Sequence, residues 1–325
     1  MRYFVTGATG FVGGYVARQL VAAGHEVAAA VRTPAKAQDL KALGVAVHQG
    51  DVTDKESMRA PMRGADGVFH IAGWYKLGAR DGRAGEQINV QGTRNVLELM
   101  RDLDIPKGVY TSTLAVNSDT HGQLVDESYR YDGPHLSAYD RTKWQAHYQV
   151  AAPMIAAGLP LVVVMPGLIY GPGDTSTVRT TLIQYLQRKL PVLPRRTAYS
   201  WAHVEDIARA HLLAMDKGRS GEDYIIAGPT HTLIEAIGMA ERIAGVPAPR
   251  MQAPPAALKA ASAVMGVLEK VVPVPAEYTA EYLRVSAGVT YIGSNAKARG
   301  ELGYQPRPLE EGLAETLRHE MKLLS

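Results

Sequence analysis

The sequence predicts a doubly wound α/β fold, a parallel sheet with helices on both faces, followed by a smaller mixed α/β lobe. Three observations carry this expectation. Strand-like runs in the first half are apolar throughout, as strands covered on both faces must be. Helical patterns separate them. The first run leads into a glycine-rich turn, VTGATGFVGG, which opens a helix.

In order, the strand runs are RYFVTG, EVAAAV, VAVHQG, GVFHIAG, GVYTSTLAV and LPLVVVMPG. After the third, GDVTDKES reads as a helix start with Thr53 and Glu56 as a capping box. The uncharged stretch 150–173 is broken by Pro153, Pro160, Pro166 and Pro172, so it reads as a helix end, a turn and a buried strand. From about Gly173 the rhythm changes. VRTTLIQYLQRKLPVLP reads as a helix with an extended tail, WAHVEDIARAHLLAMDKG as a helix ended by Gly218, and DYIIAG as a strand. THTLIEAIGMAERIAG carries a capping box, Thr232 with Glu235, and stops at Gly245. The Ala-rich run after the proline pair Pro254-Pro255 is a packing helix or a flap over the substrate. The expected division is a nucleotide-binding domain over 1–172 and a substrate lobe over 173–325, with parts of 201–230 returning to the first sheet.

Hydrophobic residues make up 46% of the 325 and charged residues 21%, the balance of a globular protein with a large core. A net charge of +3, with basic residues scattered, gives no support to a nucleic-acid or membrane partner. With no cysteine, disulfides, thiolate catalysis and cysteine-held zinc are excluded. The start, MRYFVTGATG, does not resemble a signal peptide, and a cytoplasmic location is expected.

Gly7, Gly10 and Gly13 are spaced so that backbone N–H groups approach a pyrophosphate at a helix N-terminus. About twenty residues on, where an acid would bond the 2′-hydroxyl of NAD, stands Arg32. A guanidinium there meets a 2′-phosphate and stacks on adenine, which points to NADP, with Lys36 as a second cation. The bland alternative is a solvated arginine at a strand end. Asp51 is placed to accept from the adenine amino group.

HLSAYDRTKWQAH holds the candidate chemistry. Ser137 and Asp140 read as an N-cap pair, which sets Tyr139 in the first helical turn and Lys143 one turn on, along the same face. A nearby ammonium and the positive helix end favour the phenolate, drawing the tyrosine toward general acid or base work. Thr111, Ser112 and Thr113 end the preceding strand, and one of these hydroxyls can bond a substrate oxygen.

With these motifs in order, the sequence resembles the extended short-chain dehydrogenase/reductases, the NAD-dependent epimerase/dehydratase family. The resemblance runs through TGATGFVG, GDVTD, FHIAG, INVQGTRNVLE, YTSTLAV, YDRTK, MPGLIYGPGD, WAHVEDIARAHLLAM and NAKARGELGYQPRPLEEGL. It implies a Rossmann fold in which Thr113 takes the catalytic hydroxyl place, Tyr139 is the proton donor or acceptor, and Lys143 binds the nicotinamide ribose and lowers the tyrosine pKa. It assigns Thr9, Phe11, Val12, Val52, Ala72, Gly73, Pro166, Gly167 and Ile169 to the cofactor beside the glycines, Arg32, Asp51, Thr111 and Ser112. Asn89 matches a family position whose role is catalytic or structural.

Thr113-Leu114-Ala115 lacks the acid pair of sugar-nucleotide dehydratases. VRTP instead looks like the dihydroflavonol reductase and cinnamoyl-CoA reductase branch, which uses NADPH. Trp74, Tyr75, Tyr170 and Trp201, with Tyr185, suggest an aromatic substrate site. The expected activity is reduction of a ketone or aldehyde of an apolar or aromatic small molecule. The alternatives are a sugar or sugar-nucleotide epimerase with bound NAD and a non-catalytic NADP sensor. His70 and His203 lack a metal-ligand partner at suitable spacing, so no metal is expected. Asp119, Asp126, Glu127 and Asp132 read as solvated surface. The resemblance implies a homodimer built on the two helical stretches that hold Leu97 and Met100, and Trp144 and Tyr148, although these side chains serve equally well packed inward.

Overall fold

The computed structural model describes residues 1–78, 82–275 and 278–325. The six predicted runs form β1 (Arg2–Thr6), β2 (Glu26–Val31), β3 (Ala46–Gln49), β4 (Gly67–His70), β5 (Gly108–Thr111) and β6 (Leu161–Pro166). They are followed by β7 (Leu168–Tyr170), β8 (Leu193–Pro194), β9 (Ala198–His203), β10 (Asp223–Ile226), β11 (Thr230–Thr232), β12 (Gln252–Ala253) and β13 (Thr290–Tyr291). One sheet runs β10-β6-β5-β4-β1-β2-β3, with every pairing parallel. The alternation within β1 shows why the runs lack polar residues. Phe4 packs with Met58, Met62, Val96 and Tyr110 on one face, and Val5 with Val16, Leu20 and Ile207 on the other. The order is that of a Rossmann sheet and reverses direction between β1 and β4, which opens a crevice at the carboxyl ends of the strands.

The second half interleaves with this sheet. The helix Val204–Lys217 packs on the β1 side beside the first helix, Phe11–Ala22, and β10 pairs with β6. Trp201 to His203, expected to begin that helix, instead belong to β9. The pattern of a short apolar run does not separate the two states, and pairing decides: β7 lies along Trp201–His203 while β11 and β13 flank the other end of β9. A third core cluster, including Tyr170, Tyr185, Ile237 and Leu313, lies under this small sheet.

The Thr232–Glu235 capping box forms in both directions, and Gly245 closes its helix in the left-handed region at φ +67°. The expected box at Thr53 does not form. Asp54 caps the helix Lys55–Met62 by accepting the Ser57 N–H, the Thr53 hydroxyl turns back to Asp51 at 2.9 Å, and Glu56 pairs with Arg59 at 2.6 Å. A carboxylate one residue later competes well for the same N–H groups because it also meets the positive helix end.

Two of the acids expected on solvated surface are structural. Glu127 accepts the Ile225 N–H at 2.8 Å, and Asp119 accepts the Thr290 N–H at 3.0 Å. Leu97 and Met100 are fully buried within the subunit, so they are not exposed for a dimer contact, whereas Trp144 and Tyr148 are half-buried. Among the described residues, no helix is long and apolar enough to cross a membrane.

Candidate active site

A cavity of about 750 Å³ follows the carboxyl ends of β1 to β6 and continues under the lobe. Its cofactor half is built by backbone geometry. Gly7 sits at φ +75°, and a Cβ there would lie 2.7 Å from the Ala72 nitrogen. A Cβ on Gly13 would fall 2.1 Å from the Gly7 oxygen, so only glycine lets the first helix approach the turn. Gly10 is the N-cap of this helix and brings no side chain to its first N–H groups, which leaves them for an anion. These features fit a dinucleotide, whose pyrophosphate the turn would hold.

Thr9, Phe11, Val12, Arg32, Asp51, Val52, Ala72, Gly73, Pro166, Gly167 and Ile169 all line the cavity. Arg32 is exposed at the end of β2 and makes no hydrogen bond or ion pair with another described residue. Asp51 is already engaged: one of its oxygens accepts the Thr53 N–H and hydroxyl, each at 2.9 Å. Lys36 does not line the cavity; a short turn, Pro34–Lys36, leaves it exposed to one side.

Beneath the turn, Thr6 Oγ1 accepts the N–H groups of Ile71 and Ala72 and bonds His70 Nδ1 at 2.9 Å, while His70 Nε2 meets Thr93 Oγ1 at 3.0 Å. Burial drives the His70 pKa down to about 3, so the ring is a neutral hydrogen-bonding strut. Asn89 has a similar structural role. It accepts the Trp74 N–H at 2.7 Å and donates to the Trp74 carbonyl and to Thr142 Oγ1, tying the cavity wall to the helix Ala138–Trp144.

That helix forms as its sequence predicts. Ser137 caps it by accepting the Asp140 N–H at 3.0 Å, and Tyr139 and Lys143 both reach the cavity. Of the three hydroxyls ending β5, two are engaged elsewhere: Thr111 Oγ1 by His211 at 2.8 Å and Ser112 Oγ by His147 at 2.8 Å. Thr113 Oγ1 accepts the Ala115 N–H at 3.2 Å and also faces the Tyr139 phenol in the cavity. Lys143 is buried; its Nζ donates to the Thr111 carbonyl at 2.7 Å and to Tyr110 OH at 3.3 Å.

Burial is the largest influence on the proton equilibria of both Tyr139 and Lys143. Burial pushes the Tyr139 phenol above its ordinary value, against the pull of the Thr113 hydrogen bond. The same burial pushes Lys143 down to about 7, which weakens the charge that would have favoured a phenolate. Burial thus favours the neutral phenol.

In the lobe half, Trp74, Tyr75 and Trp201 line the cavity, and the Tyr75 ring stands edge-on to Tyr139 with centroids 4.8 Å apart. Tyr170 does not line it. It is buried, reaches toward the Leu309 carbonyl and packs against Gly312. Tyr185 is buried as well and bonds the Val246 carbonyl. The sequence reading missed Tyr199 and Tyr291, which stack in parallel, and Tyr282, all three on the cavity wall. It also missed that Tyr291 OH donates to buried Asp140 at 3.0 Å, a carboxyl that burial raises to about 7. These residues come from separate segments of the lobe and have no local signature.

His203, Glu205 and Glu315 converge in a way that spacing did not reveal, with His203 nitrogens 4.0 and 3.7 Å from the two carboxylates. Both carboxylates already bond the Arg307 guanidinium, at 2.8 and 3.0 Å, so the cluster is an ion-pair hub joining the C-terminal helix to the sheet.

The fold, glycine turn and Tyr/Lys helix define a nucleotide-dependent oxidoreductase class, and comparison with known proteins places the chain within it. Residues 3–227 match the model of the NAD dependent epimerase/dehydratase family, to which this chain belongs. It is 34% identical over 260 residues to the "Putative dihydroflavonol 4-reductase" of Synechocystis sp., covering 78% of this chain and 75% of that protein. It is 32% identical over 334 residues to the 4-hydroxy-2-methyl-3-oxo-4-farnesyl-3,4-dihydroquinoline-1-oxide ketoreductase of Stigmatella aurantiaca, covering 98% and 96%. The crystal structure of gox2253 superposes with a TM-score of 0.86 at 28% identity, covering 99% of this chain and 98% of that one. The chain is an NAD(P)-dependent oxidoreductase or epimerase of the extended short-chain dehydrogenase/reductase family.

Proposed function

We propose that the enzyme is an NADPH-dependent reductase of an uncharged, apolar or aromatic ketone or aldehyde. The observation that carries this reading is the distribution of charge along the cavity. Its charged lining residues are Arg32, Asp51, Asp140, Lys143 and Asp174. Arg32 and Asp51 lie at the glycine-turn end, and Lys143 is held by the Thr111 carbonyl. Among the described residues, the lobe half thus offers no cation to the diphosphate of a sugar nucleotide, while tyrosine, tryptophan and aliphatic side chains provide apolar surface. The names of the reductase relatives agree with this reading.

In this reading the bound NADPH supplies the hydride. Tyr139 gives its proton to the carbonyl oxygen, and the Thr113 hydroxyl donates a hydrogen bond to the same oxygen. Lys143 holds the ribose hydroxyls beside the phenol. Tyr139 carries the proton that this step needs, and burial keeps the phenol neutral. Arg32 takes the 2′-phosphate. The working assembly is proposed to be a homodimer.

The test is a screen of aromatic and alicyclic ketones with NADPH, comparing the native enzyme with Tyr139→Phe. The variant is expected to bind NADPH normally and to lose about 10²- to 10⁴-fold in kcat. Full activity in the variant refutes the assignment. Purification with retained NAD, together with turnover of sugar nucleotides, favours the epimerase instead.

A further inference from the structure

The helices Pro255–Leu268 and Ala280–Val285 form a hairpin over the lobe half of the cavity, and its two sides differ. On the inner side, Leu258, Tyr282 and Val285 line the cavity. Glu281 fastens the hairpin to the catalytic half, its carboxylate accepting the N–H of Gly78 at 2.9 Å and of Ala138, the residue before Tyr139, at 3.1 Å.

On the outer side, Val264, Val267 and Val271 are 66%, 67% and 78% exposed, with Leu268 and Val272 also exposed. Single exposed aliphatics are ordinary, but five within nine residues mark a contact surface. Over 255–285 the chain carries Lys259, Lys270 and Arg284 against Glu269, Glu277 and Glu281, so any cationic character is local to the outer side. Glu269 accepts the Ala280 N–H at 3.1 Å, whereas both lysines are exposed, one near each end of the run.

We propose that this face docks the enzyme on an anionic lipid surface, with the hairpin lying in the headgroup layer at the cavity mouth. An interfacial helix requires aliphatic area that enters the acyl boundary and cations that meet anionic headgroups, and this face has both. A protein partner would favour tryptophan, tyrosine or arginine anchors at its centre, and here the centre is valine and leucine. Seated this way, the hairpin lies between the cavity and the medium that dissolves apolar molecules. The whole-chain charge of +3 points away from a membrane role because it averages over a surface on which this patch is local. Vesicle binding is read without substrate, so its outcome is independent of the catalytic assignment.

The experiment is flotation of the full chain with vesicles of phosphatidylcholine alone and with phosphatidylglycerol added, at about 1 mM lipid, where even a weak anchor registers. The enzyme is expected to float with the anionic vesicles and to be released by high salt. Val264→Asp/Val267→Asp/Val271→Asp should lower the floating fraction about tenfold or more. Lys259→Glu/Lys270→Glu, which leaves the aliphatic side chains in place, should abolish the preference for anionic lipid and serves if the triple variant does not fold. NADPH binding and melting temperature, both unchanged, show that the variants are intact. Absence of flotation with anionic vesicles overturns the proposal. So does a dimer in light scattering that the valine variants convert to monomer, because a second copy would then cover the patch.

Discussion

Replacing Arg32 isolates the proposed 2′-phosphate contact better than any other change in the cofactor half. The side chain is exposed at the end of β2, lines the cavity and has no bonded partner among the described residues. Its removal therefore costs the fold within about 0.5 kcal/mol, the range of ordinary surface substitutions. A hydrogen bond from a guanidinium to a phosphate contributes about 1.5–3 kcal/mol net. Arg32→Ala should thus weaken NADPH about 10- to 150-fold, and Arg32→Asp should weaken it further through repulsion. NADH has no group at that position and should change less than about twofold. The assay is a fluorescence titration of both nucleotides against the native enzyme and both variants, with melting temperatures alongside. Equal losses for NADPH and NADH would remove the argument, since Arg32 would then serve adenine stacking or the loop. A fall in melting temperature would show that Arg32 supports the fold.

Three further outcomes follow from the geometry. Gly13→Val puts side-chain carbon where the Gly7 oxygen stands, 2.1 Å from an ideal Cβ, so it should cost about 1–3 kcal/mol in thermal unfolding and abolish nucleotide binding in the same titration. Asn89→Leu leaves the Trp74 N–H and carbonyl without their partner; we expect a loss of about 1–3 kcal/mol in denaturant unfolding and a KM that rises more than kcat falls. Lys143 titrates near 7 in the native state against 10.5 when unfolded, so between those values the unfolded chain binds more protons and stability rises with pH. Lys143→Met, measured without nucleotide, should therefore stabilise most at pH 6 and progressively less toward pH 10. A variant destabilised equally across that range would mean that the bonds to Thr111 and Tyr110 outweigh the cost of burying the charge.

The cofactor half was legible in the sequence because its signals are local. A strand, three glycines and a helix are contiguous, Arg32 ends the next strand, and Tyr139 and Lys143 are one helical turn apart. The three hydroxyls after β5 were not separable from the residues alone, because the histidines that engage Thr111 and Ser112 lie 100 and 35 positions away. Tyr170 was legible as an aromatic beside the site but not as a buried one. Leu168 and Ile169 of β7 both line the cavity, and Tyr170, the last residue of the strand, is buried in the core instead. The tyrosines of the lobe half had no comparable signal: Tyr199, Tyr282 and Tyr291 meet only because β9, a helix and β13 come together.

The pair expected to share charge instead shares burial. An ammonium beside a phenol lowers the phenol pKa only while the ammonium remains charged. Here the surroundings that keep Tyr139 protonated also bring Lys143 close to neutrality at ordinary pH. Asp140, the next residue on the helix, is raised to about 7 by the same burial and adds negative charge as it ionises, which further opposes a phenolate. All three effects hold the resting site in its proton-giving state. The sequence pattern places the pair one helical turn apart, whereas the burial that favours the neutral form of each depends on elements far apart in the chain.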